Sequence, residues 1–530
     1  MGTTPLASLP RDCWLKILEY LPNQDSNNLS KVSHDTRAST EPFLYRSIHW
    51  DWQHPPIDKI LLLLRTISER PELASYIWHV SLVWWDVESR RTEVTVPEGR
   101  AEWNKMMLEY RHTLIWARKL VRDANFPANR DIRWLGRLFD GDAYAYATVL
   151  ILQLHNLRSL RLDFSFVLEE GFPGEMLHHS LFGDAPLGML SQFSKLEMVD
   201  YGSNFPPTEL RDNIKLPRSC QFIPWFYLPS LKVLEIWLLS VEGISVLPEK
   251  TPKIPLNLSK LRSLVISKTS LLPEEIASLL SQVPYLESLH VGMVYKCRAT
   301  AEFLKAPECL LRSLETSSQT IEHLSISLEL LPCCLQAFTL RVRNQAGKAF
   351  CGMLMKFPKL KTASLPLKFL IGCGTPSWEL RDVLPSTLEA IHISHDLWPA
   401  LGLTEFGMQT LKAFELLMRH KQDGSHPYLN TFSYQGMLQF DDELNAVGFL
   451  SRSNYIYLVK QEAMHLFCRR KRYNLFSRYS DCTHGFMLRG VILVDNVVYR
   501  LPWPFVGVDE LPTSMPRHLR ITAQSNGANV

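Results

Sequence analysis

The apolar positions along this chain follow two periods in turn. Over Leu6–Ile48 they recur at spacings of three and four, so that Trp14, Ile17, Leu18 and Leu21 fall on one helical face. Leu9-Pro10 opens that helix, where the missing proline N–H has no partner to lose, and Pro22 closes it. Asn23 and Asp25 are caps for a second helix carrying Leu29 and Val32, ahead of Pro42, Phe43, Leu44 and Tyr45. From Ile77 onward the period is two. The phrase apolar-x-x-apolar-x-apolar starts at Ile77, Leu157, Leu196, Leu231, Leu261 and Leu286, then at Ile321, Leu335, Leu360, Leu388 and Leu429. Each copy predicts a half-buried strand. At Leu231, Leu286 and Leu360 a proline two positions earlier resets the chain from helix to strand.

Helical stretches separate these strands. They are Ile57–Ile67, a helical insertion over 99–121 carrying Trp103, Met106, Met107, Tyr110, Leu114 and Ala117, a helix over Ala143–Leu154, and the segments Glu274–Gln282 and Ala346–Lys356. Leu261 to Leu286 and Leu335 to Leu360 are each steps of 25, whereas Leu157, Leu196, Leu231 and Leu261 are separated by 39, 35 and 30. Two registers compete near residues 311–340. Ile321 makes the better strand, and Leu311-Arg312-Ser313-Leu314 keeps the period. Beyond Gln435 the phrase fades. Asp442–Leu450 reads as a helix, Tyr455–Phe467 as a strand or helix, and 490–494 with 497–501 as a hairpin turning at Asp495-Asn496. The tail from Arg520 has the composition of a disordered segment.

Helices totalling about forty residues bury too little to stand alone, so the N-terminal module needs a partner. Its pattern L-P-x-x-x-x-x-x-I-L-x-x-L-P-x-x-D, then L-x-x-V-S and P-x-L-Y-R, resembles the F-box, with Cys13-Trp14 where that family usually has an acidic and an aliphatic residue. The resemblance covers Leu9 to Arg46. It implies apolar docking of a Skp-type adaptor, and through it a cullin, by Leu9, Pro10, Ile17, Leu18, Leu21, Leu29 and Val32. The strand phrase is similar to leucine-rich repeats, whose period is about 20 to 29 residues and whose units must stack to complete a core. Its ragged spacing looks like the repeats of fungal F-box proteins. The expected fold is therefore α/β: a short helical F-box (1–50), an N-terminal repeat region with a helical insertion (51–155), an irregular leucine-rich-repeat solenoid (156–435), a C-terminal cap (436–520) and a tail (521–530).

Composition narrows the function. Hydrophobic residues make up 46% and charged residues 21%, as in an ordinary folded protein, and 57 basic against 54 acidic residues are too evenly mixed to favour nucleic acid or membrane. Ten cysteines without a regular framework read as reduced, buried thiols of a cytoplasmic or nuclear protein. Arg469–Arg472 is a basic run with two readings, a solvated end of an element or a nuclear import signal. No phosphate loop, G-x-S-x-G elbow or H-E-x-x-H motif occurs, His392-x-x-His395 lacks the spacing for joint metal ligation on a strand, and His178-His179 falls in an insertion loop without a signature. The expectation is a non-enzymatic protein without cofactors that holds an unidentified protein target. Its candidate contacts, on strand positions that alternate outward, are Trp237, Arg341, Glu235, His290 and Arg161. An adaptor-bound scaffold outside any ligase fits the same pattern.

Overall fold

The computed structural model describes residues 9–84, 100–204 apart from 187, 218–239, 258–295, 314–330, 354–366, 384–394, 426–437 apart from 430, short strands between 481 and 499, and single residues at 241, 244 and 256. The chain divides into two compact units: Met1–Ser203, Asn213–Ile236 and Glu242–Lys260 form one, and Asn204–Asp212, Trp237–Val241 and Leu261–Val530 the other.

The first unit begins with α1 (Arg11–Tyr20), α2 (Asn23–Leu29) and α3 (His34–Leu44), followed by β1 (Ser47–Asp51), α4 (Ile57–Glu69) and β2 (His79–Val83). Four helices follow: α5 (Arg100–Glu109), α6 (Arg111–Asp123), α7 (Ala128–Asp140) and α8 (Ala143–Ile151). The apolar periodicity anticipated α4, α5, α6 and α8; α7 was not foreseen. Then come β3 (Ser159–Leu162), α9 (Phe164–Leu168), α10 (Phe172–Phe182), β4 (Met198–Tyr201) and β5 (Val233–Ile236). Strands β1 to β5 pair in parallel in chain order, with Ile48, Val80, Leu160, Val199 and Leu234 in register. These residues are buried, as period-two alternation requires.

The second unit contains β6 (Ser263–Thr269), α11 (Pro273–Leu280), β7 (Ser288–Tyr295), β8 (His323–Leu330), β9 (Thr362–Pro366), β10 (Ala390–Ser394) and β11 (Thr431–Met437), its strands again parallel and in chain order. Strand β8 starts from the Ile321 anchor and pairs directly with β9, which decides the register near residue 321. The copy at 335–340 lies outside the described residues, as do 442–450, 455–467 and the tail. Four short strands follow, β12 (Asp481–Cys482), β13 (Gly485–Arg489), β14 (Ile492–Val494) and β15 (Val497–Tyr499). Both β13 and β14 pair antiparallel with β11, and β14 with β15 forms the expected hairpin.

One backbone device recurs at the start of the strands. The residue after several apolar anchors offers its carbonyl to two successive N–H groups of the next copy. In the first unit the Arg158 carbonyl accepts from Glu197 (2.9 Å) and Met198 (3.0 Å), and that of Glu197 from Lys232 (2.8 Å) and Val233 (3.0 Å). In the second, the Glu287 carbonyl accepts from Glu322 (2.8 Å) and His323 (3.0 Å), and that of Glu322 from Lys361 (2.8 Å) and Thr362 (3.1 Å). The side chains at these positions also pair along the edge: Glu197 with Lys232 at 2.9 Å, Arg262 with Glu287 at 3.3 Å, and Glu322 with Lys361 at 2.6 Å. Trp78 is flanked by the guanidinium groups of Arg46 and Arg158, 4.7 and 4.4 Å from its ring centroid.

Candidate functional site

Among the described residues, the first three helices present an exposed apolar surface. Helix α1 starts from the Pro10 carbonyl, which accepts from the Trp14 N–H at 3.0 Å, so Pro10 stands just before the helix, one place earlier than expected. Pro22 opens α2 in the same way. Asn23 and Asp25 thus lie inside that helix and do not cap it, although the carboxylate of Asp25 suits the positive end of the helix dipole. Helix α3 is stopped at its start by a reciprocal cap: Ser33 Oγ accepts from the Thr36 N–H (3.1 Å) while Thr36 Oγ1 accepts from the Ser33 N–H (3.0 Å).

Most of the residues expected to dock an adaptor are accessible. Leu9 and Pro10 are exposed, Ile17 is 40% exposed and Val32 71%, while Leu21 and Leu29 are half-buried. Leu18 is the correction. At 1% exposure its side chain is enclosed, and α1 packs against α3. Leu15 (36%) and Tyr20 (78%) join the exposed set unforeseen. A signal for them was present: apolar residues at 14, 15, 17, 18 and 20 cover more than one face of a ten-residue helix, more than an internal core needs. Cys13, expected to be buried, is exposed on the same helix.

The module is tied to the rest of its unit by charge. Arg70, at the end of α4, donates from Nη1 and Nη2 to Oε1 and Oε2 of Glu41 in α3, at 2.9 and 2.8 Å. Arg37 Nε reaches Glu41 Oε1 at 3.0 Å, and Arg70 Nε donates to Glu72 at 2.9 Å. Hydrogen bonds from Arg70 and then Arg37, outweighing desolvation, hold the Glu41 carboxyl down at about 2. A bidentate fork of this kind fixes orientation as well as distance.

The sheet positions look different from what alternation suggested. In the first unit His49, Ser81, Arg161, Asp200 and Glu235 are aligned across adjacent strands. Arg161 donates from Nε and Nη2 to Asp200 Oδ2, both at 3.1 Å, so its charge is neutralised within the protein. Glu235 is buried. Trp237, expected to be an outward anchor, is 1% exposed, with its Nε1 donating to the Lys268 carbonyl at 3.2 Å. The physical reason is local: β5 ends at Ile236, so the alternation no longer applies at Trp237. The Lys268 carbonyl is presented by a bulge in β6, where Lys268 has a φ of 51°. His290 is also buried, with Nδ1 2.8 Å from Ser325 Oγ. Arg341, Arg469–Arg472 and Cys333-Cys334 lie outside the described residues. His178 is half-buried against Phe182 at 5.0 Å. Among the described residues no group of three or more His, Cys, Asp or Glu side chains could hold a metal ion, and no helix is long and apolar enough to cross a membrane.

The geometry therefore singles out the N-terminal helices, and the comparison with known families agrees. The F-box domain model matches residues 6–41. The chain carries an F-box domain, a module that in general binds Skp-type adaptors as a non-catalytic part of SCF-type ubiquitin ligases. No curated protein matches the chain.

Proposed function

We propose that this protein is a substrate-recognition subunit of an SCF-type cullin ubiquitin ligase, docking a Skp-type adaptor through α1 and α2 and holding a target protein through its strand-bearing region. The observation that carries the reading is the exposed apolar set Leu9, Leu15, Ile17, Tyr20 and Val32 within the F-box match. The parallel strands are read as degenerate leucine-rich repeats stacked into a solenoid. Support comes from the constant register of the buried apolar positions and from the two-donor carbonyl that recurs at several anchors. Such a subunit performs no covalent chemistry. Holding target and ligase together raises the effective concentration of one at the other.

The test is co-expression of the full chain with a Skp-type adaptor. Burying an exposed Ile or Val side chain contributes about 1.5–3 kcal/mol. An Ile17→Asp, Val32→Asp double variant is therefore expected to weaken adaptor binding on the order of a hundredfold or more. Undiminished recovery of the adaptor by that folded variant overturns the reading.

A further inference from the structure

Helix α6 has two sides of different chemistry. Thr113, Leu114, Ala117, Leu120 and Val121 are buried. Away from them, Arg111, Ile115, Arg118 and Arg122 follow one another at steps of four, three and four residues, which at 100° per residue places them on one line along the helix. Lys119 stands beside that line, one turn beyond Ile115. Arg111, Lys119 and Arg122 are exposed, and among them Ile115 is 51% exposed. None of these three cations has an ion-pair partner among the described residues. The acidic residue of the helix, Asp123, lies 100° round from Arg122 and off the line.

Helix α7 continues this surface. The guanidinium of Arg118 is 5.3 Å from the centroid of the Phe139 ring, so the basic line on α6 meets α7 there. Ile132, Gly136 and Phe139 are again four and three residues apart and share one side of α7, with Ile132 72% and Phe139 60% exposed. A Cβ at Gly136 would meet nothing within 4 Å. Glycine inside a helix costs stability, and the packing around this one does not require it. What it leaves is a notch between two exposed apolar side chains.

Cations and apolar groups alternate along this surface and do not divide into separate zones, which distinguishes among anionic partners. Nucleic acid offers phosphates, but no aliphatic groups for Ile115 and Ile132. A bilayer offers both at different depths, and the helices that lie on it keep apolar and charged residues on opposite faces. A helix that interleaves carboxylates with apolar side chains offers both at the spacing found here. We propose that the exposed side of α6 and α7 binds an acidic, amphipathic helical segment of a partner protein, its carboxylates pairing with Arg111, Lys119 and Arg122 and one apolar side chain seated over Gly136. The surface uses neither the adaptor-docking residues nor the strands, and so goes beyond the function proposed above.

The probe is a fluorescein-labelled peptide of two heptads Glu-Leu-Ala-Glu-Glu-Leu-Glu, followed by anisotropy as full-length protein is added at low salt. Binding is expected in the micromolar range, and roughly tenfold weaker when serine replaces every leucine of the peptide. The triple variant Arg111→Glu, Lys119→Glu, Arg122→Glu changes only exposed positions and is expected to abolish binding with an unchanged melting temperature. Ile132→Asp is expected to weaken it roughly tenfold, and stands in for the triple variant if that variant does not fold. Absence of binding to folded wild-type protein overturns the proposal, as does undiminished binding by the folded variant or equal affinity for the leucine and serine peptides. Displacement of the peptide by lower concentrations of phosphatidylserine vesicles, or of a single-stranded oligonucleotide, overturns it in favour of that ligand. Adaptor recovery measured on the same variants stays at the wild-type level, so failure at this surface and failure of adaptor docking are read separately.

Discussion

Ile17 and Leu18 are adjacent in sequence and opposite in role. A helix turns 100° per residue, so one of them faces out while the other is enclosed. Truncating the enclosed one leaves a cavity: Leu18→Ala is expected to destabilise the protein by about 2–5 kcal/mol, measured by urea denaturation. Ile17→Ala, by contrast, is expected to stay within about 0.5 kcal/mol, because the side chain it shortens is already in water. A reversal of these two effects would mean that the exposed face of α1 has been misassigned. The same scale accounts for Trp237 and Arg161. Their residue types favour binding surfaces, but one is spent on an internal carbonyl and the other on Asp200.

Among the described elements, the junction between α3 and α4 has a strength that depends on pH. Glu41 is held at about 2 in the folded protein, against 4.5 for an unperturbed glutamate. Its folded-state pKa is depressed, so the stabilisation is complete above about 4.5 and is lost as pH falls from there towards 2. Urea midpoints of wild type and Glu41→Gln are therefore expected to differ at neutral pH and to converge between pH 4.5 and 2. A gap that stays constant across that range would show that the charge of Glu41 is not what joins α3 to Arg70. The strands follow another logic. Anchors such as Leu157, Leu196 and Leu286 are buried, and the carbonyl one residue later sets the next strand in register. Uneven spacing between anchors is compatible with that pairing, because the cost of closing a loop grows only slowly with its length.

For the whole molecule, the proposal couples a docking end to a binding body. If the protein works within a ligase, the adaptor recovered with it brings a cullin, and both are lost together in the Ile17→Asp, Val32→Asp variant. Recovery of adaptor without cullin from cell extract supports the scaffold reading instead. Much of this arrangement was legible in advance. The helical module, the period-two strands from His79 to Met437, the start of β8 at the Ile321 anchor and the terminal hairpin all follow from apolar spacing and turn residues. Helix α7 did not, although Ala128–Asp140 carries Ile132, Trp134, Leu138 and Phe139, because its apolar residues are divided between a buried and an exposed side.

The sequence by itself determined the kinds of element, their order and the presence of an adaptor-docking pattern, since each rests on spacing within a few residues. Tertiary structure decided which apolar residues of that pattern are available. Leu18 and Ile17 satisfy the same motif equally well, and only tertiary packing encloses the first while leaving the second exposed. It also decided that the outward strand positions at Glu235 and His290 are enclosed. Those outcomes depend on residues far apart in the chain meeting in space, and no local period encodes such a meeting.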